Sequence, residues 1–229
     1  MTRSRPVSAS QIPLLLKPPR RPGFDNYVAG PNQAVIGTLA SGLEPGQWYV
    51  LAGPAGSGRS HLLSASFAAL VDQGLDARFV ALANEANWPL LDQSGGDFVL
   101  LDDIDALAGD CAGERLLFNA LNRWRGQRTG VVMSGLGRSG FELPDLVSRL
   151  GSAVHLTLKP MDETDLVELV RCLGREHEVV LGRGAADYLV SRSPRNPAAL
   201  TRLFEQLVVR SLSERRTLSI PLIRELLTS

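Results

Sequence analysis

Cysteine is scarce in this 229-residue chain. Only Cys111 and Cys172 occur, far apart and without a histidine at metal-ligand spacing, so neither a disulfide framework nor a zinc site is supported. Two reduced cysteines suit a cytoplasmic protein. An excess of one charge is missing too: 24 Lys and Arg face 24 Asp and Glu, and no overall field draws the chain onto nucleic acid or a membrane. Any contact with DNA has to be local or indirect. Long apolar runs are also lacking. Nothing approaches the roughly 18 unbroken apolar residues of a membrane span, and the opening MTRSRPVSASQIP has charges without the apolar centre of a signal peptide. What is present is 44% hydrophobic residues, enough for an ordinary globular core, with no internal repeat or low-complexity segment.

Five prolines, Pro6, Pro13, Pro18, Pro19 and Pro22, interrupt the first two dozen residues. No helix or strand runs through such a stretch, and residues 1–23 read as a flexible tail. From Phe24 the composition becomes that of an alternating α/β domain. Short apolar runs at 48–52 (WYVLA), 78–82 (RFVAL), 98–102 (FVLLD), 130–134 (GVVMS) and 153–158 (AVHLTL) read as buried strands, with helix-length stretches between them at 61–73 and 114–125. Strand and helix alternating in this way predict a parallel sheet flanked by helices, because parallel strands need crossover connections. After Pro160 the strand signal stops and helical stretches follow at 162–176, 184–191, 198–212 and 220–227. The expected organisation is therefore a tail at 1–23, an α/β domain at 24–159, and a small all-helical subdomain at 160–229.

The most specific motif is GPAGSGRSHLL at 53–63, which follows one strand and opens a helix. Gly53, Gly56 and Gly58 let the backbone turn its N–H groups inward around phosphate oxygens, and the helix N-terminus adds partial positive charge. Ser60 is placed to coordinate Mg2+. Arg59 stands where such loops normally carry lysine. It keeps the charge, but a guanidinium is wider, planar and fixed in its fork geometry, so diphosphate binding is expected to survive and γ-phosphate chemistry to suffer. FVLLDDID ends a strand in Asp102 and Asp103 at the carboxyl edge of the sheet, where Asp102 would hold Mg2+ and Asp103 would orient a water. Arg149, in LPDLVSRL at 143–150, reads on its own as a solvated surface residue. In QIPLLLKPP, Pro13 biases Ile12 towards an extended conformation, so that Ile12, Leu14 and Leu16 either pack on the domain or present themselves to a partner as a strand-like peptide.

Taken together, FDNYVAGPNQ at 24–33, the phosphate loop, FVLLDDIDALAGD, LPDLVSRL and LKPMDETDLVELV resemble the AAA+ domain of the DnaA family. Within it they are most similar to the short regulatory inactivators of the Hda type, which share arginine at the position of Arg59. The resemblance spans nearly the whole chain. It implies an AAA+ P-loop domain followed by a helical lid, with Tyr27 and Val28 beside the base and Gly53, Pro54, Ala55, Gly56, Ser57, Gly58, Arg59, Ser60 and His61 around the phosphates of ADP or ATP. It implies that the tail docks on the DNA polymerase III sliding clamp (beta) through Gln11, Ile12, Leu14 and Leu16, and that Arg149 is a finger inserted into the nucleotide site of DnaA. Two departures stand out. Ala198 occupies the place of a phosphate-sensing lid arginine, with Arg195 and Arg202 as substitutes, and MSGLGRSG lacks the acidic residue usual after the fourth strand.

The expected function is regulation of replication initiation, by stimulating ATP hydrolysis on DnaA. The competing expectation is an autonomous AAA+ ATPase of the helicase-loader type, against which Arg59 and Ala198 argue. A third, an origin-binding initiator, needs a DNA-reading domain after the lid, where this sequence ends. A homo-oligomer is compatible with the sequence.

Overall fold

A computed structural model describes residues 21–228. The tail peptide containing Gln11, Ile12, Leu14 and Leu16 lies outside them. Strands β1 (Trp48–Ala52), β2 (Ala77–Ala81), β3 (Phe98–Asp102), β4 (Gly130–Gly135) and β5 (Val154–Thr157) form one sheet in the order β2-β3-β4-β1-β5. Every pairing is parallel. All five carboxyl ends therefore share one edge, and β4 lies between the strand that leads into the phosphate loop and the strand that ends in Asp102.

Alternation along each strand divides its side chains between two faces. Trp48, Val50, Val99, Leu101, Val131 and Met133 pack with Leu117, Leu121 and Trp124 of α3 (Cys111–Gly126) and with Leu146 and Leu150 of α4 (Pro144–Gly151). Tyr49, Leu51, Leu100 and Val132 face the other way, onto Ile36 and Leu39 of α1 (Gln33–Ser41) and Leu62, Leu63 and Leu70 of α2 (Arg59–Asp72). Each fully buried side chain of this size stabilises by about 1.5–3 kcal/mol, so both faces need their helical cover.

Four helices follow: α5 (Glu163–Glu176), α6 (Ala185–Arg192), α7 (Pro197–Glu214) and α8 (Ile220–Leu227). They enclose a separate core built on Leu166, Val170, Leu189, Phe204, Leu207 and Ile223. A capping box between Asp162 and Asp165 starts α5, and Asn196, accepting from the Ala199 N–H at 3.0 Å, starts α7.

The expected strands agree with the observed ones to within a residue, while three local features depart from the sequence reading. α2 begins at Arg59, immediately after the left-handed Gly58, so its first turn belongs to the phosphate loop. α3 begins at Cys111, where Asp110 accepts from the Gly113 N–H at 2.6 Å. α1 and the 3-10 segment Glu85–Asp92 were not expected. Gly37 interrupts the first and Pro89 the second, and packing overrides their weak helical signal.

Candidate nucleotide-binding site

Gly53 to Gly58 leave the end of β1 in a loop that Gly56 (φ 79°) and Gly58 (φ 88°) complete in the left-handed region. Neither position has room for a side chain. A Cβ on Gly58 would lie 2.5 Å from Tyr27 Cε2, and one on Gly56 would lie 2.7 Å from the Asn196 amide. Tyr27 therefore closes the loop from the N-terminal side, its hydroxyl donating to the Ser57 carbonyl at 2.9 Å. Burial pushes the Tyr27 hydroxyl above the usual tyrosine range, so it remains a donor at neutral pH. The Tyr27 ring lies 5.6 Å from that of His61, whose Nε2 is 2.9 Å from the Gly23 carbonyl oxygen.

The result is a cleft of about 480 Å³, within the range of small-molecule sites. Tyr27, Val28, Ala55, Gly56, Ser57, Gly58, Arg59, Ser60, His61 and Asp103 all line it. Gly53 and Pro54 stay at the entrance to the loop, the Pro54 carbonyl accepting from the Ser57 N–H at 3.1 Å. The opposite wall comes from the lid: Met161, Leu169, Pro197, Ala198 and Thr201. Asn196 reaches across to the Ala55 carbonyl with its amide nitrogen at 3.4 Å. Lid and phosphate loop thus meet around one space.

Beneath the loop, Asp102 is buried, and its Oδ1 accepts from Ser60 Oγ at 3.1 Å and from Ser134 Oγ at 2.5 Å. Ser134 in turn accepts from the Asp103 N–H at 2.9 Å. The hydroxyl and carboxylate brought together at Ser60 and Asp102 are hard oxygen donors of the kind Mg2+ takes beside a phosphate. Among the described residues no cluster of three or more His, Cys, Asp or Glu side chains forms a metal cage by itself. Such an ion would depend on ligand oxygens and water.

Arg59 projects from the first turn of α2 towards the residues after β3. Its Nη2 is 3.6 Å from Asp103 Oδ1, and its Nη1 is 3.6 Å from Asp105 Oδ2. Burial and the neighbouring Asp102 carboxylate push Asp103 above the usual aspartate range, partly offset by Arg59.

Arg149 is not part of this cleft. It is half-buried on α4, on the face of the sheet opposite α2, with its guanidinium 5.1 Å from the centre of the Phe118 ring of α3. The start of α4 is held by Glu114, also on α3, whose carboxylate accepts from the backbone N–H groups of Gly109 (2.8 Å), Glu142 (3.0 Å) and Leu143 (2.7 Å). Burial alone would raise Glu114, but these three donors hold it below the usual glutamate range. Of the substitutes for a lid arginine, Arg195 pairs with Glu163 at 3.2 Å on the surface, and Arg202 is exposed; neither lines the cleft, and Ala198 does.

Ser134, Asn196, Asp105 and Glu114 do not stand out in the sequence as site residues. Each acts on a residue distant in sequence. Only Asn196, an Asn-Pro pair before an apolar helix, carried a local signal, that of a helix cap.

Residues 162–227 match the family model described as the lid domain of Hda. The chain also superposes on domain III of the Thermotoga maritima replication initiation protein DnaA, with a TM-score of 0.78 at 20% identity, over 93% of this chain and 98% of that one. Residues 162–227 thus match an Hda-type lid, and the chain as a whole shares the fold of DnaA domain III. AMPPCP-bound DnaA from Aquifex aeolicus matches with a TM-score of 0.65 at 18% identity, over 82% of this chain and 64% of that one. The Thermotoga maritima RuvB Holliday junction branch migration motor matches with a TM-score of 0.63 at 18% identity, over 84% and 67%. At these identities the likeness is one of fold, shared across AAA+ proteins. Among the described residues no helix is long and apolar enough to cross a membrane.

Proposed function

We propose that the chain holds ADP in the cleft between phosphate loop and lid, and that it lends Arg149 in trans to the nucleotide site of ATP-bound DnaA, stimulating hydrolysis there and so inactivating the initiator. The observation that carries this reading is the Hda lid match in a chain whose phosphate loop carries Arg59. Backbone N–H groups of residues 55–60 would cradle the diphosphate. Ser60 and Asp102 would hold Mg2+, which neutralises phosphate charge when bound. With Arg59 beside two carboxylates and Ala198 in the lid, a γ-phosphate gains no cation from the lid, and turnover by the chain itself is expected to be weak.

Arg149 suits a trans role because it lies outside its own cleft and is presented on an α4 face supported by Phe118. A guanidinium brought to a phosphoryl-transfer site by a second molecule accelerates hydrolysis by about 10³- to 10⁵-fold in well-studied cases. The tail peptide of Gln11, Ile12, Leu14 and Leu16 would tether the protein to the DNA-loaded sliding clamp, so that contact with DNA is indirect.

The test is ADP formation on ATP-loaded DnaA in the presence of DNA-loaded clamp and this protein. The parent protein should accelerate it, Arg149→Ala should abolish the acceleration while ADP and clamp binding persist, and Arg149→Lys should rescue little because an ammonium lacks the planar fork. Full stimulation by Arg149→Ala would remove the finger from this residue. No stimulation by the parent would remove the reading.

A further inference from the structure

The guanidinium of Arg59 has an unusual set of neighbours for a group at the mouth of a phosphate loop. Its side chain is only 14% exposed, and a cation this far from water needs compensation. Compensation comes from two carboxylates that follow β3, Asp103 and Asp105, both at 3.6 Å. That separation gives charge attraction without hydrogen bonds, and Arg59 Nη1 is buried with no hydrogen-bond partner among the described residues. The guanidinium is thus neutralised but not saturated: its N–H groups remain available to oxygens that could approach within 3 Å or so. Phosphate oxygens bound by the loop would arrive beside it, since Arg59 is the residue between Gly58 and Ser60.

Asp105 also has another task. Both of its carboxylate oxygens accept from the Leu136 N–H, at 2.8 and 2.9 Å, where the chain leaves β4. It therefore keeps a partner whether or not Arg59 stays with it.

Building on the nucleotide reading above, we propose that Asp105, with Asp103, is the resting counter-ion of Arg59, and that diphosphate binding is a partner exchange in which the guanidinium leaves these carboxylates for phosphate oxygens. Asp105 is then a residue that sets nucleotide affinity without touching nucleotide. Its carboxylate competes with the ligand for the single cation of the loop, and the free energy of the resting pair is subtracted from that of binding. The arrangement also explains how an arginine is accommodated at a lysine position: the acidic partners after β3 hold the wider group aside until phosphate arrives.

The experiment is calorimetric titration of ADP with Mg2+ into the full chain and into Asp105→Asn, Arg59→Gln and the double variant. Asparagine at 105 keeps an oxygen for the Leu136 N–H and removes only the charge. Asp105→Asn should bind ADP about 3- to 10-fold more tightly than the parent, the scale of one partly exposed ion pair. In the Arg59→Gln background the same change should alter affinity less than about twofold. Weaker binding by Asp105→Asn would mean that Asp105 supports Arg59 in the bound state, and would overturn the exchange. Equal tightening in both backgrounds would reduce the effect to plain charge repulsion and overturn it likewise. If Arg59→Gln binds too weakly for the cycle, the rise in melting temperature on adding ADP, compared between parent and Asp105→Asn, reads the same quantity; a rise no larger in Asp105→Asn counts against the exchange. Failure of the parent to bind ADP would instead sink the nucleotide reading itself.

Discussion

Gly58 shows how much a single position decides here. Its φ of 88° is left-handed, and the ring of Tyr27 lies where its Cβ would stand. Gly58→Ala therefore meets two obstacles. Backbone strain costs about 1–2 kcal/mol, and the ring must move from the position in which its hydroxyl bonds the Ser57 carbonyl. We expect the variant to fold with a lowered melting temperature and to lose ADP affinity by more than about tenfold, since each 1.4 kcal/mol is a factor of ten. Tyr27→Phe is the gentler companion, losing only the hydroxyl bond. Retention of parental ADP affinity by Gly58→Ala would show that the Tyr27 contact does not shape the cleft.

Between elements, the support of α4 by α3 is the arrangement with the clearest pH signature. Glu114 is 2% exposed and satisfies three backbone donors, two of them at the entry to α4. Because those donors hold the folded-state carboxyl below its ordinary value of 4.5, the stabilisation is complete above that value and is lost as pH falls through the depressed one. Glu114→Gln should cost about 1–3 kcal/mol at neutral pH, the scale of leaving buried donors poorly satisfied. The gap between parent and variant should narrow as pH drops below the ordinary carboxylate range. Urea titrations at pH 7 and near pH 3.5 would measure it, and a gap that widens in acid would contradict the assignment. Arg149 lies on this element, so under the proposed trans role the same substitution should weaken stimulation of DnaA more than it weakens ADP binding.

At the scale of the whole molecule, the sheet and the helical lid have separate cores that meet around the cleft. Among the described residues, polar contacts fix the junction between them and bridge the cleft. Asn32, buried next to α1, exchanges two bonds with the backbone of Lys159 at 2.8 and 3.1 Å, where the chain passes from β5 towards α5. Asn196 reaches from the start of α7 to the Ala55 carbonyl. A ligand filling the cleft touches both walls and binds only the assembled state. ADP at about a hundred times its dissociation constant should stabilise the fold by ~2.7 kcal/mol, a rise of about 5–10 °C in melting temperature. Asn196→Ala removes a helix cap worth ~1 kcal/mol together with the bridge to the loop. It should lower both the melting temperature and the increment due to ADP. An unchanged increment would mean that the lid takes no part in holding the nucleotide.

The strands, most of the helices, the phosphate loop and the acidic end of β3 were legible in the sequence, because each rests on local causes: apolar runs of strand length, glycines at turn positions, and a motif of contiguous residues. The helical block after Pro160 was legible for the same reason. Whether Arg59 would reach phosphate or carboxylate was not. It depends on Asp105, which the sequence offers only as one more acid in FVLLDDID, and which folding brings beside both Arg59 and Leu136. Ser134 joined the Ser60–Asp102 pair only because β4 lies between β1 and β3 in the sheet. The support of Arg149 by Phe118 and of α4 by Glu114 likewise needed α3 to lie across α4. Local sequence determines backbone conformation within a few residues, whereas which charges neutralise one another follows from strand order and helix packing, and these brought the decisive partners together from distant parts of the chain.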